Sequence, residues 1–375
     1  MLTFQQLEDA GEAVVRIMAK TEQTILNDMA RRIARMGGVS MATFWQAERL
    51  EILGTQQKTI IRVLSNSLYI TEQRLIELFD EAATRTLGQE YSSYHAREYK
   101  PIPLAENWEL QQIIRAGLVK TLGTFQNLTL TTANTATLQF ERALDHAHQL
   151  MASGGYSYQQ AIREGVRSLA KDGIESIRYP TGHVDRLDTA FRRAAITGIN
   201  QTAAEVQLEN MRQLGLDLVE TTAHPGARPD HAIWQGQVFS VSGTHEKYPD
   251  FKTETGYGTG SGLCGWNCRH SFFGFLEGSD PAYTAEKLRE YNNKQVTYNK
   301  KTMDLYDATQ QQRYIERQIR RWKREGSAFD AAGLDNKAAR AKVHEWQATQ
   351  RDFIKQTGLT RDYFRERGGN QLIAP

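Results

Sequence analysis

The sequence predicts a mainly α-helical protein in which long helices flank a small, loop-rich α+β module. Apolar residues recur every three to four positions through most of the 375 residues, the signature of helices with one buried face. That rhythm lapses between about 216 and 280, where glycine, proline, histidine and aromatic residues take over. Hydrophobic residues make up 40% and charged residues 24%, proportions that suit helices wetted on one side better than one large core. The length implies two or three folding units. We read an N-terminal helical region and arm at 1–105, a helical domain at 106–215, the module at 216–280 and a basic helical tail at 281–375.

The elements follow in order. Leu7, Val14, Met18, Ile25, Met29 and Ile33 form one stripe, which predicts a helix over about 4–36 ended by Gly37-Gly38. A second long helix is expected through Ile60, Ile61, Leu64, Leu68, Leu75, Leu78 and Phe79. Residues 88–105 lose the period and hold two prolines, so they read as a linker or extended arm. Helical patterns return at about 106–122, 132–152, 157–171 and, most strongly, 183–214, with Gly215 as a C-cap. Leu216–Thr222 and Val238–Val241 read as short strands. Beyond Pro281 helices are expected at about 284–325, 336–356 and 359–367. At 1.5 Å per residue the first of these would reach about 60 Å.

Formal net charge is +2 but unevenly spread. Residues 281–375 carry 19 Lys/Arg against 12 Asp/Glu, a local +7 that leaves −5 for the rest and permits contact with a polyanion. The opening residues lack a basic segment followed by an apolar run, so no secretory signal is expected. No stretch approaches the roughly 18 apolar residues of a membrane span, and no membrane partner is expected. Two cysteines cannot build a disulfide framework, which points to a reducing, intracellular folding environment.

Residues 220–276 concentrate what is unusual. Both cysteines (Cys264, Cys268), four of nine histidines (His224, His231, His245, His270), two of six tryptophans and a run of alternating glycines lie there. A module this irregular needs something besides helix packing to hold it.

Four stretches carry a family resemblance: DRLDTAFRRAAITGINQT; HPGARPDHAIWQGQVFSVSG; YPDFKTETGYGTGSGLCGWNCRHSF; and YDATQQQRYIERQIRRWKRE leading to VHEWQATQRDFIKQTGL. They resemble the phage minor capsid proteins related to the Mu F-type head-morphogenesis family. One departure is that His270 stands where relatives often have a second cysteine, while Cys264 lies upstream. The resemblance implies a low-copy virion protein inside a tailed-phage head, present in the host cytoplasm during assembly. Its implied partners are the portal and capsid proteins, and its implied work is assembly, DNA packaging or delivery. The rivals are a packaged toxin-like or nucleic-acid-processing enzyme and a cytoplasmic assembly factor absent from the mature virion.

Cys264, Cys268 and His270 are spaced C-x3-C-x-H, with His224 and His231 available from the preceding loop. Thiolate and imidazole suit tetrahedral zinc, which would staple a small module. The alternative makes the cysteines small buried hydrophobes and lets His270 cap a turn. Arg228, His231 and His224 could in principle support acid–base chemistry. Asp230 reads as a partner of Arg228 or a turn cap, and an arginine with two histidines is too generic to define a reaction, so no enzyme is expected. Arg228, Trp234, Gly236, Trp266, Asn267 and Arg269 read as structural residues of the module, with both tryptophans in its core. The glycines at 256, 258, 260, 262 and 265 read as a turned loop over the cysteines rather than a phosphate loop, because no apolar strand precedes them and no Lys-Ser/Thr follows. Arg313, Arg317, Arg320, Arg321, Lys323 and Arg324 form a basic stretch that could contact packaged DNA or a partner protein, or simply face solvent.

Overall fold

The computed structural model describes residues 1–36 and 42–369, apart from the side chains of 42–44, 89, 92 and 93. It is mainly helical, with three small antiparallel sheets among the described residues. Helix α1 (Phe4–Ala34) and α2 (Ala42–His95) open the chain. They are followed by α3 (Trp108–Ala152), α4 (Tyr158–Ala170), strands β1 (Glu175–Arg178) and β2 (Val184–Arg186), and α5 (Leu187–Gln213). The module contributes β3 (Leu218–Thr221), the short α6 (Pro229–Ala232), β4 (Val238–Ser240), the short α7 (Phe251–Thr255) and β5 (Phe272–Gly274). The chain then forms α8 (Ala285–Asn292), β6 (Gln295–Tyr298), β7 (Lys301–Asp304), α9 (Leu305–Ala331) and α10 (Lys337–Thr357).

The mainly helical class and the small β-containing module stand as expected, and several boundaries are corrected. Helix α1 ends at Ala34, and the Gly37-Gly38 terminator lies outside the described residues. Helix α2 continues to His95, through part of the expected arm. Its last turns are fixed by polar burial rather than an apolar stripe: Tyr94 is buried and its hydroxyl donates to Glu90, 2.5 Å. The break expected between 122 and 132 is also absent, since α3 runs unbroken for 45 residues. Thr121, Thr124, Thr129 and Thr131 turn their hydroxyls onto the carbonyls four residues back, while Phe125 and Leu128 are buried.

The 40-residue helix expected beyond Pro281 is instead a helix, a hairpin and a 27-residue helix. Asn299 and Lys300 both take positive φ (49° and 65°) between the paired Tyr298 and Lys301, a two-residue hairpin turn of the primed kind. Helix α9 is therefore about 40 Å long. Residues 359–367 form turns rather than a helix. Gly358 closes α10 at φ 69°, and the Arg361–Glu366 ion pair holds the turns beyond it. The β1–β2 hairpin at the start of the strongest predicted helix was not foreseen. Gly215 caps α5 as expected: its φ is 66° and the Leu216 N–H reaches back to the Met211 carbonyl, 2.9 Å.

The chain divides into two compact units. The first comprises Met1–Ala13, Glu72–Thr124 and Arg192–Thr309. In it β3 is the central strand, paired antiparallel to β4 and β5. Val219, Trp234, Phe239, Phe251, Leu263, Cys264, Cys268 and Phe272 pack into one cluster around this sheet, with Met211 of α5. Elsewhere in this unit α3 and α5 approach closely through small residues. A Cβ at Gly117 would overlap Thr202, and one at Gly198 would overlap Thr121.

The second unit comprises Val14–Thr71, Phe125–Phe191 and Gln310–Pro375. Its buried residues include Ile25, Ile33, Ile60, Phe140, Leu144, Val166, Ile315, Ile319, Phe329 and Phe353. Helix α4 starts with a capping box in which Ser157 and Gln160 satisfy each other's backbone. The Tyr158 hydroxyl donates to the Met36 carbonyl, 2.7 Å.

Candidate functional site

The site lies within the first unit, where three loop segments meet over the β4-β3-β5 sheet. Past β3 the chain turns at His224, whose N–H donates to Gln235 Oε1, 3.0 Å. Pro229 starts α6, suited to a first helical position by its fixed φ and missing N–H, and places His231 inward. The turn after α6 carries Trp234 and Gln235, both buried. Gly236 closes that turn at φ 66°, where a Cβ would stand 2.5 Å from Leu288. The glycine loop doubles back by short backbone bonds: Leu263 N–H to the Thr255 carbonyl, 2.9 Å, and Trp266 N–H to the Gly260 carbonyl, 2.7 Å. This is the turned loop the sequence suggests. Cys264 and Asn267 take positive φ (58° and 55°) as the chain folds Cys268 beneath it.

His231, Cys268 and His270 bring one ligand atom each into a single buried group. The two Nδ1 atoms are 3.4 Å apart, and Cys268 Sγ lies 3.8 Å from His231 Nδ1 and 3.9 Å from His270 Nδ1. Burial holds the His270 pKa well below its ordinary value, helped by His224, His231 and Arg228 nearby. Burial also lowers His231 and His224. The Cys264 and Cys268 thiols are pushed up by burial. All three imidazoles are therefore neutral and both thiols protonated when no metal is present. Such groups hydrogen-bond well, the neutral imidazoles can ligate as they stand and a thiol can once it gives up its proton, but none carries charge to offer a substrate.

The remaining predicted residues take distinct places. His224 stacks on His270, ring centroids 4.4 Å apart, without joining the converging atoms. Cys264 is buried beside them, its Sγ 3.8 Å from the His270 carbonyl. Arg228 contacts His231 Nε2, donates to the Ser261 carbonyl, 2.9 Å, and pairs with Asp230, 3.4 Å. Arg269 is buried against Glu8 of α1 and donates to the Asn267 carbonyl, 2.9 Å. Trp234 is core, as expected. Trp266 is not: it is 62% exposed and lies along Gly260, because the left-handed Asn267 beside it turns the chain outward.

Gln235 and Asn200 were missed as site residues, although both stand in the quoted motifs. Gln235 Oε1 receives the His270 Nε2–H, 3.1 Å, and Asn200 Nδ2 donates to the His270 carbonyl, 2.9 Å. The available signal was a Trp-Gln-Gly turn, in which an amide beside a glycine can serve the interior.

Residues 2–355 match the model of the family described as phage minor capsid protein 2. The chain belongs to that family. It is similar to a structural protein of Lactococcus phage LL-H, 26% identical over 295 residues that cover 75% of this chain and 77% of the relative. It is also similar to a structural protein of Lactococcus phage mv4, 32% identical over 127 residues, 33% of this chain and 94% of the relative. No solved structure matches. The expected relationship to phage minor capsid proteins is thus borne out.

In this minor capsid protein the basic stretch of α9 is largely turned inward within the second unit. Arg320 faces Asp188 at 3.7 Å and also donates to the Arg365 carbonyl, while Arg324 faces Glu22 at 3.7 Å. Arg321 lies over the Trp322 ring, 4.8 Å from its centroid. Arg313 and Lys323 are half-buried and Arg317 is exposed.

Proposed function

We propose that this minor capsid protein sits inside the phage head beside the portal and acts by binding, assisting assembly, DNA packaging or delivery, without catalysing a reaction. The observation that carries this reading is a row of exposed apolar side chains on one side of α2 within the second unit, set among the exposed Glu51, Lys58 and Ser65. Leu50, Ile61 and Tyr69 are 67%, 49% and 65% exposed. At about 100° per residue they fall within an arc of roughly 100°. A helix face of this kind suits docking on a protein surface. The buried, neutral histidines and thiols of the module favour a structural role for it. Arg317, exposed on α9, is the residue best placed to reach DNA or a neighbouring copy.

The test is co-purification with isolated portal. A Leu50→Asp/Ile61→Asp variant, on an exposed face, should fold normally and lose portal binding. Binding equal to that of the parent would remove the docking face from the proposal. Duplex DNA titrated at physiological salt should not displace the parent from portal, whereas displacement would point to a DNA-bound role. Purified virions should contain the chain, and its absence there would make it an assembly factor. A folded Arg228→Ala variant that assembled normally but lost a measurable turnover would overturn the non-catalytic reading.

A further inference from the structure

We infer that His231, Cys268 and His270 form a zinc site, binding through His231 Nδ1, His270 Nδ1 and Cys268 Sγ. The ligand atoms are decided by which nitrogen of each ring bears the proton. Gln235 Oε1 accepts the His224 backbone N–H, 3.0 Å, while its Nε2 donates to Asn292 Oδ1, 2.7 Å. The amide orientation is therefore fixed, and the Oε1 facing His270 can only accept. His270 Nε2 must carry the proton, which leaves a lone pair on Nδ1. His231 Nε2 stands 2.9 Å from the Ser261 carbonyl, also an acceptor, so its Nδ1 is likewise a lone pair. Arg228 crowds the same Nε2 but has an acceptor of its own in that carbonyl, 2.9 Å, and does not need the imidazole lone pair.

Two nitrogen lone pairs thus face each other across 3.4 Å in a place closed to water, and Cys268 has one proton to share between them. A cation takes all three donors at once, Cys268 binding as the thiolate and releasing its proton to solvent. Tetrahedral zinc, with Zn–N about 2.0–2.1 Å and Zn–S about 2.3 Å, sets N···N at about 3.4 Å and S···N at about 3.6 Å. The observed 3.4, 3.8 and 3.9 Å need only a slight contraction to match. Gln235 and the Ser261 carbonyl already hold the distal N–H of each ring, the outer-shell arrangement that orients metal-bound imidazoles. Cys264 is a further sulfur beside the set.

The intact chain, purified without chelator from zinc-supplemented cells, should contain about one zinc ion, and a strong chelator should lower its Tm by on the order of 5 °C. Cobalt added to the stripped protein should give tetrahedral d–d bands with a thiolate charge-transfer band. Those bands should vanish in Cys268→Ser and His270→Asn and persist in His224→Asn, whose ring stacks on His270 and turns Nδ1 to the Pro225 carbonyl, 3.1 Å, rather than to the set. Zinc at buffer background together with no cobalt spectrum in the parent, measurements that need no variant to fold, would overturn the site. Bands lost in folded His224→Asn but kept in Cys268→Ser would overturn the ligand set.

Discussion

Glu8 is the residue on which the charge balance of the first unit turns. Its carboxylate is buried between the guanidinium groups of Arg269 and Arg192. Removing one partner of a buried pair leaves an uncompensated charge, at a cost of about 3–5 kcal/mol. Glu8→Ala should therefore lower stability by that order in denaturant melts, while Glu8→Met combined with Arg269→Met and Arg192→Met should recover much of the loss, since it leaves neither guanidinium facing an apolar side chain. A second carboxyl behaves oppositely in the other unit. Burial raises the Glu316 pKa to about 7, although Arg365, Arg320 and Arg313 pull it down and Asp362 adds to the rise. The folded value exceeds the unfolded one near 4.5, so the native state keeps a proton that the unfolded chain releases. The resulting stability is fully present below about pH 4.5 and is lost as pH climbs through 7, up to ~3 kcal/mol in all. Glu316→Gln should thus melt close to the parent at pH 4 and above it at pH 8. Parallel Tm curves across that range would show that Glu316 titrates normally.

Between elements, the crossing of α3 and α5 is set by a reciprocal exchange of small residues. Gly117 receives Thr202, and Gly198 receives Thr121, each glycine four positions from its own helix's threonine. A Cβ at Gly198 would stand 2.1 Å from Thr121 Oγ1, so Gly198→Ala must spread the helices or displace that side chain. We expect a loss of about 1–3 kcal/mol. Adding Thr121→Ala, which vacates the space, should restore part of it, and chemical melts of the two variants give the comparison. No periodicity argument could have found this pair, because a glycine in a helix carries no apolar signal. The same limit explains the other differences from the sequence reading. Apolar stripes marked α1, α5 and α10 well, since each of them buries an apolar face. The end of α2 rests on Glu90 and Tyr94, polar residues that a stripe does not count. The β6–β7 hairpin turns at Asn299-Lys300, where lysine hides the positive φ that glycine would have advertised. At the site, the cysteines and histidines were visible as residue types, whereas Gln235, which sets a proton's position, was visible only once the turn had shape.

For the chain as a whole, each unit is gathered from three separated segments. Neither can be obtained as a continuous excised piece containing nothing else. A fragment of 192–309 would hold the module sheet but lack Glu8 opposite Arg269, Leu2 opposite Ser271, and Glu90 opposite Gln207. We expect such a fragment to keep helical far-ultraviolet circular dichroism while losing near-ultraviolet signal and a cooperative melt. A sharp melt with dispersed amide resonances would show that the module stands alone.

The Glu8–Arg269 contact also has a meaning in time. The two partners are 261 residues apart, so the first turns of α1 leave the ribosome long before the residue they pair with exists. At roughly 5–20 residues per second that interval lasts on the order of 10–50 s. Throughout it, Leu2 and Leu7, both buried in the finished protein, must stay out of other hydrophobic surfaces. Wherever two copies are translated close together, the waiting N-terminal segment is the stretch with the longest opportunity to pair with a neighbour's module instead of its own.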